Sequence, residues 1–331
     1  MTDPGRTAPP HCKRSAAAPR LAALLKDRAM LALFVVIAVW VAASFASRGF
    51  GSFGHLRYLL ELATIIGVVA AGQTLVMIGG GIDLSVGAIV TVSAVGLPLL
   101  DLPADPTGIA GLAATLAITT LIGLCNGAGV ALLRVHPMIM TLAMATLLQG
   151  ALIIVAGGSA VTANNAAVDW IGNAQPWGVP ADLLLWILVA AVTILALRRS
   201  RFGARVYSLG ANPLAAALSG VDTRATTIIL YGASGLTAGL GGILALGMNG
   251  QGYVGIGDPY VLTSIAAVVL GGTSILGGTG GYAGTIPGAV LLVTITGLIT
   301  VVNASPGWRS VLFGLLILGL LLLSGREVRR R

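Results

Sequence analysis

Apolar stretches of about twenty residues recur along the whole chain, separated by short polar or glycine-rich segments. They cover 29–47, 57–78, 83–100, 109–133, 137–156, 182–197, 225–247, 261–278, 283–302 and 308–324. A helix of this length crosses the hydrocarbon core of a bilayer. The runs are continuously apolar rather than alternating, which favours helices over a barrel. The pattern predicts an all-α polytopic membrane protein with about ten transmembrane helices, of which the third and eighth are short enough to be broken or re-entrant.

The composition agrees with this pattern. The chain is 56% hydrophobic and only 9% charged, with a mean hydropathy of +0.96, whereas soluble domains carry about 25% charged residues. Glycine is abundant, at 47 residues, and small residues let membrane helices pack closely. We therefore expect one membrane domain, 29–325, and no second soluble domain.

The basic residues are unevenly distributed. They lie in the N-terminal segment 1–28, in the central loop 198–224 and in the last residues, 326–331, whereas the long loop 157–181 contains no Lys or Arg. Cytoplasmic loops of membrane proteins carry the excess of Lys and Arg. We expect an even number of crossings, with a disordered N-terminal tail, a basic C-terminal tail and loop 198–224 all in the cytoplasm. No basic stripe interleaved with aromatic residues indicates nucleic-acid binding.

The sequence contains no nucleotide-binding loop. No G-x-x-x-x-G-K-[ST] pattern is present, and the only lysines are Lys13 and Lys26, both in the N-terminal tail. Such a loop needs its lysine to reach the terminal phosphates of the nucleotide. We expect the chain itself to bind no ATP, no other cofactor and no metal, so any ATP that drives it must be bound by a partner.

A carboxylate interrupts the apolar pattern within residues 79–87, GlyGlyGlyIleAspLeuSerValGly. A charged group at the centre of a bilayer costs on the order of 2.5–3.5 kcal/mol, so Asp83 should face a cavity or a helix end. It can cap the helix that follows, it can lie in a substrate path, or it can do both. Gly81, Asp83 and Ser85 are the path candidates in this segment.

Neutral amides are the other polar groups of the apolar runs. Gln73, Asn126 and Gln149 lie within runs, and Asn249 and Gln251 flank the outer end of one. Each amide can hydrogen-bond between helices as packing or line a path for a hydroxylated solute. As a group they fit an uncharged polyol better than an ion, so Asn126, Gln149, Asn249 and Gln251 are further path candidates.

The central basic loop contains the signals of a short helix. Asn212 is a good N-cap and Pro213 suits the first helical position. Leu214, Ala217 and Leu218 form an apolar face, and Gly220 suits the stop. Such a helix can lie flat on the lipid interface or dock into a groove on a partner, and its strong start and stop signals favour docking.

Residues 265–288 are too rich in glycine for a regular helix. Irregular backbone at membrane depth is tolerated only where it is buried in protein or lines a cavity. Because neither a preceding strand nor a lysine accompanies these glycines, they do not indicate a phosphate-binding loop.

Three segments together resemble the permease subunits of bacterial ABC importers of the ribose, xylose and arabinose type. They are GlyGlyIleAspLeuSerValGly at 80–87, ArgPheGlyAlaArgValTyrSerLeuGlyAlaAsn at 201–212 with LeuSerGlyVal at 218–221, and SerIleAlaAlaValValLeuGlyGlyThrSer at 264–274. The resemblance runs in order across residues 50–325 and is specific to the sugar group, with branched-chain amino acid permeases as more distant relatives.

The resemblance implies a transport subunit of the bacterial inner (plasma) membrane, not an enzyme. Its partners would be a second permease copy, usually identical, a cytoplasmic ABC ATPase and a periplasmic substrate-binding protein. It also implies that 212–220 is the helix coupled to the ATPase, with Arg205 and Asp222 as contacts around it. The Asp83 region would lie on the translocation path.

Two other functions compete with a sugar-importing permease. An ion-coupled secondary transporter would use intramembrane ionisable groups, for which only Asp83 and Glu61 are candidates. An ABC permease for another solute, such as a polyol or an autoinducer-like compound, would share every motif above. A membrane-embedded enzyme is disfavoured because the sequence contains neither HExxH nor paired carboxylates. Pentoses, hexoses, inositol and furanose-like signal molecules are all compatible with these residues.

Overall fold

The computed structural model describes residues 28–46, 49–100, 105, 107–162 and 164–301, together with 307, 308, 311, 314 and 315. Within these residues the chain is almost entirely helical. The helices are α1 (Arg28–Ala46), α2 (Phe53–Ile78), α3 (Val86–Leu99), α4 (Ile109–Ala131), α5 (Pro137–Ala156), α6 (Ala166–Asn173), α7 (Ala181–Arg199), α8 (Arg201–Ala211), α9 (Pro213–Leu218), α10 (Thr223–Asn249), α11 (Asp258–Leu270) and α12 (Tyr282–Val301). A 3-10 turn covers Pro176–Gly178, and the strands β1 (Val161–Thr162) and β2 (Gln251–Gly252) pair antiparallel.

Six of these helices are long and apolar enough to cross a membrane: α2, α4, α5, α7, α10 and α12. Three shorter apolar helices accompany them, namely α3, α11 and the apolar part of α1. The predicted all-α membrane class is confirmed, and the third and eighth apolar runs do form the short helices. The tenth run, 308–324, and the predicted tails before residue 28 and after 325 lie largely or wholly outside the described residues, so the count of ten crossings and the position of the termini stay predictions.

Helices α2 and α10 form the centre of the protein. They are the most deeply buried of the long helices, whereas α5 is mostly exposed. Glycines on α4 and α10 allow these two helices to touch along their backbones. A Cβ atom on Gly123 would clash with the carbonyl of Tyr231, and one on Gly235 would clash with the carbonyl of Thr119. The high glycine content therefore serves close helix packing.

Two parts of the structure differ from the sequence-based expectation. The loop 157–181 contains an extra helix, α6, whose N-cap Asn165 accepts hydrogen bonds from the N–H groups of Ala167 and Val168, both at 3.1 Å. The predicted run 261–278 is too long, because α11 ends at Leu270. Gly272 then takes a φ of +87°, a conformation that glycine adopts readily and that turns the chain away from the helix.

Candidate functional site

The turn between α2 and α3 places Asp83 in the protein interior. Helix α2 ends at Ile78, and Gly80 reverses the chain with a φ of +86°. The N–H of Gly81 donates to the carbonyl of Val76 at 3.0 Å, which holds the turn against its own helix. The carboxyl group that follows is fully buried, with no exposed surface on Asp83.

Both carboxylate oxygens of Asp83 accept hydrogen bonds. Oδ1 accepts from the hydroxyl of Ser85 at 2.6 Å and from the Ser85 N–H at 2.9 Å. Oδ2 accepts from the hydroxyl of Ser234 on α10 at 2.8 Å. Because a buried carboxylate is tolerated only when it is paired or hydrogen-bonded, these donors explain how Asp83 can lie between apolar helices.

Asn126 of α4 completes this polar cluster. Its Nδ2 donates to the Ser85 hydroxyl at 2.8 Å. The helices α4 and α10 and the turn before α3 therefore meet through Asp83, Ser85, Asn126 and Ser234, hereafter the Asp83 cluster. The Oδ1 atom of Asn126 is buried and has no hydrogen-bond partner within the described part of the chain. The cluster therefore presents one unused acceptor among neutral amide and hydroxyl groups.

Asp83 contacts the start of α3 at its N-cap residue, Ser85. Helix α3 begins at Val86, its N-cap position is Ser85, and the Ser85 side chain makes no capping bond to α3. Its hydroxyl is instead bound to the carboxylate of Asp83. Asp83 therefore joins its turn to α10 and, at the start of α3, accepts the N–H of the N-cap residue Ser85.

The remaining path candidates do not join the Asp83 cluster. Nε2 of Gln149 donates to Oδ1 of Asp258 at 3.2 Å and so links α5 to α11. Nδ2 of Asn249 donates to the carbonyl of Ala245 one turn earlier at 2.7 Å, about 22 Å further along α10 than Ser234 at 1.5 Å per residue. Gln251 is exposed and lies in β2. Gln73 is fully buried, and neither of its side-chain polar atoms has a partner among the described residues.

The short helix predicted in the central loop is confirmed as α9. Oδ1 of Asn212 accepts a hydrogen bond from the N–H of Ala215 at 3.0 Å, and Pro213 is the first helical residue. After Leu218 the chain stops at Gly220, which has a φ of +83°. The N–H of Gly220 donates to Ala217 and that of Val221 to Ala216, both at 3.0 Å. These two bonds form a complete Schellman stop.

The two leucines of α9 face outward. Leu214 is 71% exposed and Leu218 is 82% exposed, so both are free to contact a partner. Arg205 on α8 is also exposed. Asp222 has a structural role that the sequence analysis did not assign, because its Oδ1 accepts from the N–H of Ala225 at 2.9 Å and caps α10.

Helix α8 is attached to the Asp83 turn through backbone contacts between glycines. A Cβ atom on Gly210 would clash with the carbonyl oxygen of Ile78, and the same carbonyl accepts the N–H of Gly278 at 2.8 Å. Gly277 approaches Gly80 closely enough that an added Cβ would lie 2.9 Å from the Gly80 Cα. We call these five residues, Ile78, Gly80, Gly210, Gly277 and Gly278, the glycine junction.

A tyrosine strengthens this attachment. The hydroxyl of Tyr207 on α8 donates to the carbonyl of Gly280 at 2.8 Å. Burial raises the pKa of the Tyr207 phenol, so the hydroxyl stays protonated and able to donate at neutral pH. The glycine-rich segment after α11 is thereby fixed to α8, and α8 is fixed to the end of α2, five residues before Asp83.

Sequence reasoning missed two residues of the site, Ser234 and Tyr231. Tyr231 lies beside Gly81, where an added Cβ would be 2.5 Å from the phenol oxygen. Both residues belong to a series of hydroxyl side chains on α10, Thr223, Thr227, Tyr231 and Ser234, spaced four, four and three residues apart. Residues at this spacing share one face of a helix, and that spacing is the signal that points to them.

Comparison with known proteins places these features in a family. Residues 56–321 match the family model described as branched-chain amino acid transport system / permease component. The ribose import permease protein RbsC of Escherichia coli (strain K12) is 32% identical over 309 residues, which cover 92% of this chain and 95% of the relative. The RbsC of Bacillus subtilis (strain 168) is 29% identical over 300 residues, 90% of this chain and 92% of the relative.

The relatives are not limited to proteins named for ribose. The autoinducer 2 import system permease protein LsrC of Shigella flexneri is 32% identical over 300 residues, which cover 91% of this chain and 87% of the relative. The family match spans most of the chain and includes both the Asp83 cluster and α9. The chain therefore belongs to this family of transport permease components and is a multi-pass protein of the inner membrane.

Proposed function

We propose that this chain is the membrane-spanning subunit of an ATP-driven importer and forms the path for a small sugar. The proposal rests on one observation: α9 is an exposed, capped helix, and the glycine junction next to it leads to the buried Asp83 cluster. Family membership supports the transport role. Two of the relatives described above are named for ribose import, and the neutral hydroxyl and amide groups around Asp83 suit an uncharged hydroxylated solute.

The energy for transport comes from a partner. A cytoplasmic ABC ATPase binds and hydrolyses ATP, and this chain binds no cofactor itself. Leu214 and Leu218 enter a groove on that ATPase, and Arg205 lies beside the contact. The position of α9 is fixed at its two ends by caps and turns, which are formed by Asn212, Pro213, Gly220 and Asp222.

Two further partners complete the importer. A periplasmic substrate-binding protein delivers the sugar to the outer face. A second copy of this chain packs beside the first, because α4 and α5 carry many exposed apolar side chains, such as Leu121, Ile139, Leu142 and Ile154. Part of this surface faces the second copy and the remainder faces lipid.

The proposed topology has about ten crossings and places both termini in the cytoplasm. The tail 1–28, the loop 198–224 and the tail 326–331 lie inside, and the membrane domain covers 29–325. This orientation is supported by the distribution of arginine, which occurs in loop 198–224 and is absent from the sequence of loop 157–181.

The mechanism is a shift between two packings of the helices. Closure of the ATPases on ATP moves α9 and, with it, α8. Because the glycine junction joins α8 to Ile78 by close backbone contact, the motion reaches the Asp83 turn. The hydrogen bond between Asp83 and Ser234 is then kept in one packing and strained in the other, which opens the path to one side of the membrane at a time.

Uptake in proteoliposomes tests the function. The chain is reconstituted with its ATPase and binding protein, and accumulation of radiolabelled ribose is measured with ionophores that collapse all ion gradients. We expect accumulation with ATP and none without ATP or with an ATPase variant that lacks its phosphate-binding lysine. Uptake that needs an ion gradient and ignores ATP would instead establish the ion-coupled alternative. ATP-driven uptake of a solute that is not a sugar, with ribose and other monosaccharides excluded, would contradict the sugar assignment alone.

A further inference from the structure

Helix α7 carries a stripe of exposed apolar side chains from its middle towards its C-terminal end. Four of them are each 56–59% exposed, namely Ile187, Leu188, Val192 and Leu195. Their spacing places them on one face of the helix, and Ala191 between them is also exposed. We call these five residues the α7 stripe. It spans about 12 Å at 1.5 Å per residue, close to the ~15 Å of hydrocarbon in one leaflet of a bilayer.

Three arginines stand at the end of this stripe. Arg198 and Arg199 follow Leu195 by three and four residues and so continue the same face of α7, and Arg201 is the first residue of α8. All three are exposed, and none forms an ion pair with a carboxylate among the residues that the structure describes. We call them the arginine corner, and their charges are available to an anion of another molecule.

The corner itself is held by hydrogen bonds. Ser200, between α7 and α8, donates its hydroxyl hydrogen to the carbonyl of Ala196 at 2.6 Å and accepts the N–H of Gly203 at 3.2 Å. A Cβ atom on Gly203 would clash with the carbonyl of Leu197, so the two helices touch where the chain turns. Guanidinium groups concentrated at such a corner suit a phosphate group, whose oxygens accept the paired N–H groups of arginine.

The length of α7 places the arginine corner at the level of the lipid headgroups. The helix has 19 residues, which span about 28 Å at 1.5 Å per residue and match the ~30 Å hydrocarbon core of a bilayer. Its last two residues, Arg198 and Arg199, therefore reach the surface of the hydrocarbon, while the α7 stripe lies within it. In the topology proposed above, this surface belongs to the cytoplasmic leaflet.

The charge and position of the corner favour a lipid over the two protein partners. In a two-fold dimer with its axis along the membrane normal, packing of α7 against its counterpart would place the two arginine corners against each other, and like charges repel. Helix α8 has 11 residues, so about 16 Å of helix separates the corner from Asn212, where the ATPase-binding helix α9 begins. An anionic lipid meets neither obstacle.

We propose that the α7 stripe and the arginine corner form a binding site for one anionic phospholipid, such as a phosphatidylglycerol. The phosphate lies among the guanidinium groups of Arg198, Arg199 and Arg201, and one acyl chain lies along the stripe. The choice of leaflet rests on the proposed topology, whereas the chemistry of the ligand rests on the stripe and the corner. The bound lipid stabilises the corner from which α8 runs to the glycine junction.

Native mass spectrometry of the purified full-length chain in detergent tests the site. The chain is titrated with palmitoyl-oleoyl phosphatidylglycerol and, separately, with the phosphatidylcholine that has the same acyl chains. We expect one phosphatidylglycerol to bind at least about tenfold more tightly, since each arginine near an anionic headgroup contributes a factor of about five. Soluble glycerol 3-phosphate at the same concentrations should not displace it, because this molecule lacks the acyl chains.

Paired variants locate the bound lipid. Arg198→Gln with Arg199→Gln should remove the preference for phosphatidylglycerol, whereas Arg198→Lys with Arg199→Lys keeps the charge and should retain most of it. The matched control is Arg134→Gln with Arg224→Gln, which removes the same charge from two other exposed arginines and should leave the preference unchanged. Equal preference in the two glutamine pairs, no preference in the wild-type chain, or displacement by glycerol 3-phosphate overturns the site.

Two further outcomes would assign these residues to a protein partner and overturn the lipid site. Oxidative cross-linking of two copies through Ala191→Cys, in a chain with Cys12 and Cys125 replaced by Ser, would show that a second copy covers the stripe. Loss of ATPase binding by the glutamine pair at 198 and 199, with the lipid preference unchanged, would show that the ATPase covers the corner. ATP-driven uptake tests the proposed function in a separate assay, so either the lipid site or the function can fail without the other.

Discussion

The carboxylate of Asp83 accepts a hydrogen bond from the hydroxyl of Ser234 at 2.8 Å, across 151 residues of sequence. This bond joins the turn between α2 and α3 to the middle of α10. Both side chains are fully buried, so water does not replace the bond when it is removed. The contact is therefore a place where a small change should have a measurable effect.

Replacement of Ser234 with Ala should destabilise the protein. The variant leaves one oxygen of a buried carboxylate without its donor, which costs about 1–3 kcal/mol or more for a charged group. We expect a lower melting temperature in detergent and weaker transport. Ser234→Thr keeps the hydroxyl and should retain most of both. Equal melting temperatures for Ser234→Ala and the wild type would contradict the structural role of this bond.

Replacement of Gly210 with Ala should uncouple the α8–α9 segment from the Asp83 turn. The added Cβ would clash with the carbonyl of Ile78, so α8 must move away from α2. We expect ATP-driven uptake to fall at least tenfold while the chain still inserts into the membrane. The matched control is Gly96→Ala in α3, where an added Cβ meets no atom within 4 Å. If both variants transport equally well, the glycine junction does not transmit the motion.

Replacement of Gly235 with Ala should separate α4 from α10. The new Cβ would meet the carbonyl of Thr119 and the backbone of Gly123, and over-packing of a close contact costs about 1–3 kcal/mol. We expect a lower melting temperature than for Gly150→Ala in α5, where the added atom has open space. The two variants are compared by thermal unfolding in the same detergent. Equal melting temperatures would mean that α4 and α10 do not pack closely at Gly235.

Much of the fold could be predicted because the length of an apolar run depends only on consecutive residues of the sequence. The run 137–156 coincides with α5, and the ends of α9 follow from Asn212, Pro213 and Gly220. Helix α6 was missed because its eight residues are fewer than the window of about 11–18 residues over which helical periodicity is judged. The end of α11 at Leu270 was misplaced because Ile275 and Leu276 extend the apolar run beyond the glycine pair 271–272, at which the helix ends.

The site was only half predictable. Asp83, Ser85 and Asn126 stand out as polar groups in apolar runs, and the structure brings them together. The same reasoning also selected Gln149, Asn249 and Gln251, which make other contacts. The spacing of hydroxyl residues on α10 marks Ser234, but which helix faces Asp83 is a property of the three-dimensional packing, so the pairing of Ser234 with Asp83 could not be predicted from the sequence.

Cysteine labelling tests the proposed topology. In a chain with Cys12 and Cys125 replaced by Ser, Ala217→Cys in α9 and Trp177→Cys in the loop 157–181 each present one exposed thiol. A membrane-impermeant maleimide added to intact cells should label the residue at 177 and not that at 217. After permeabilisation both should be labelled. Labelling of position 217 from outside would reverse the proposed orientation.

Transfer of energy through α9 from a separate ATPase to the membrane domain is tested by the ATPase activity of the reconstituted complex with sugar-loaded binding protein. In the double variant Leu214→Asp and Leu218→Asp, charges replace the two outward-facing leucines, whereas Leu214→Met and Leu218→Met keep their apolar character. We predict that the aspartate pair abolishes both sugar uptake and the stimulation of ATP hydrolysis by loaded binding protein, and that the methionine pair retains both. Undiminished stimulation and uptake in the aspartate pair would show that α9 does not couple the ATPase to transport.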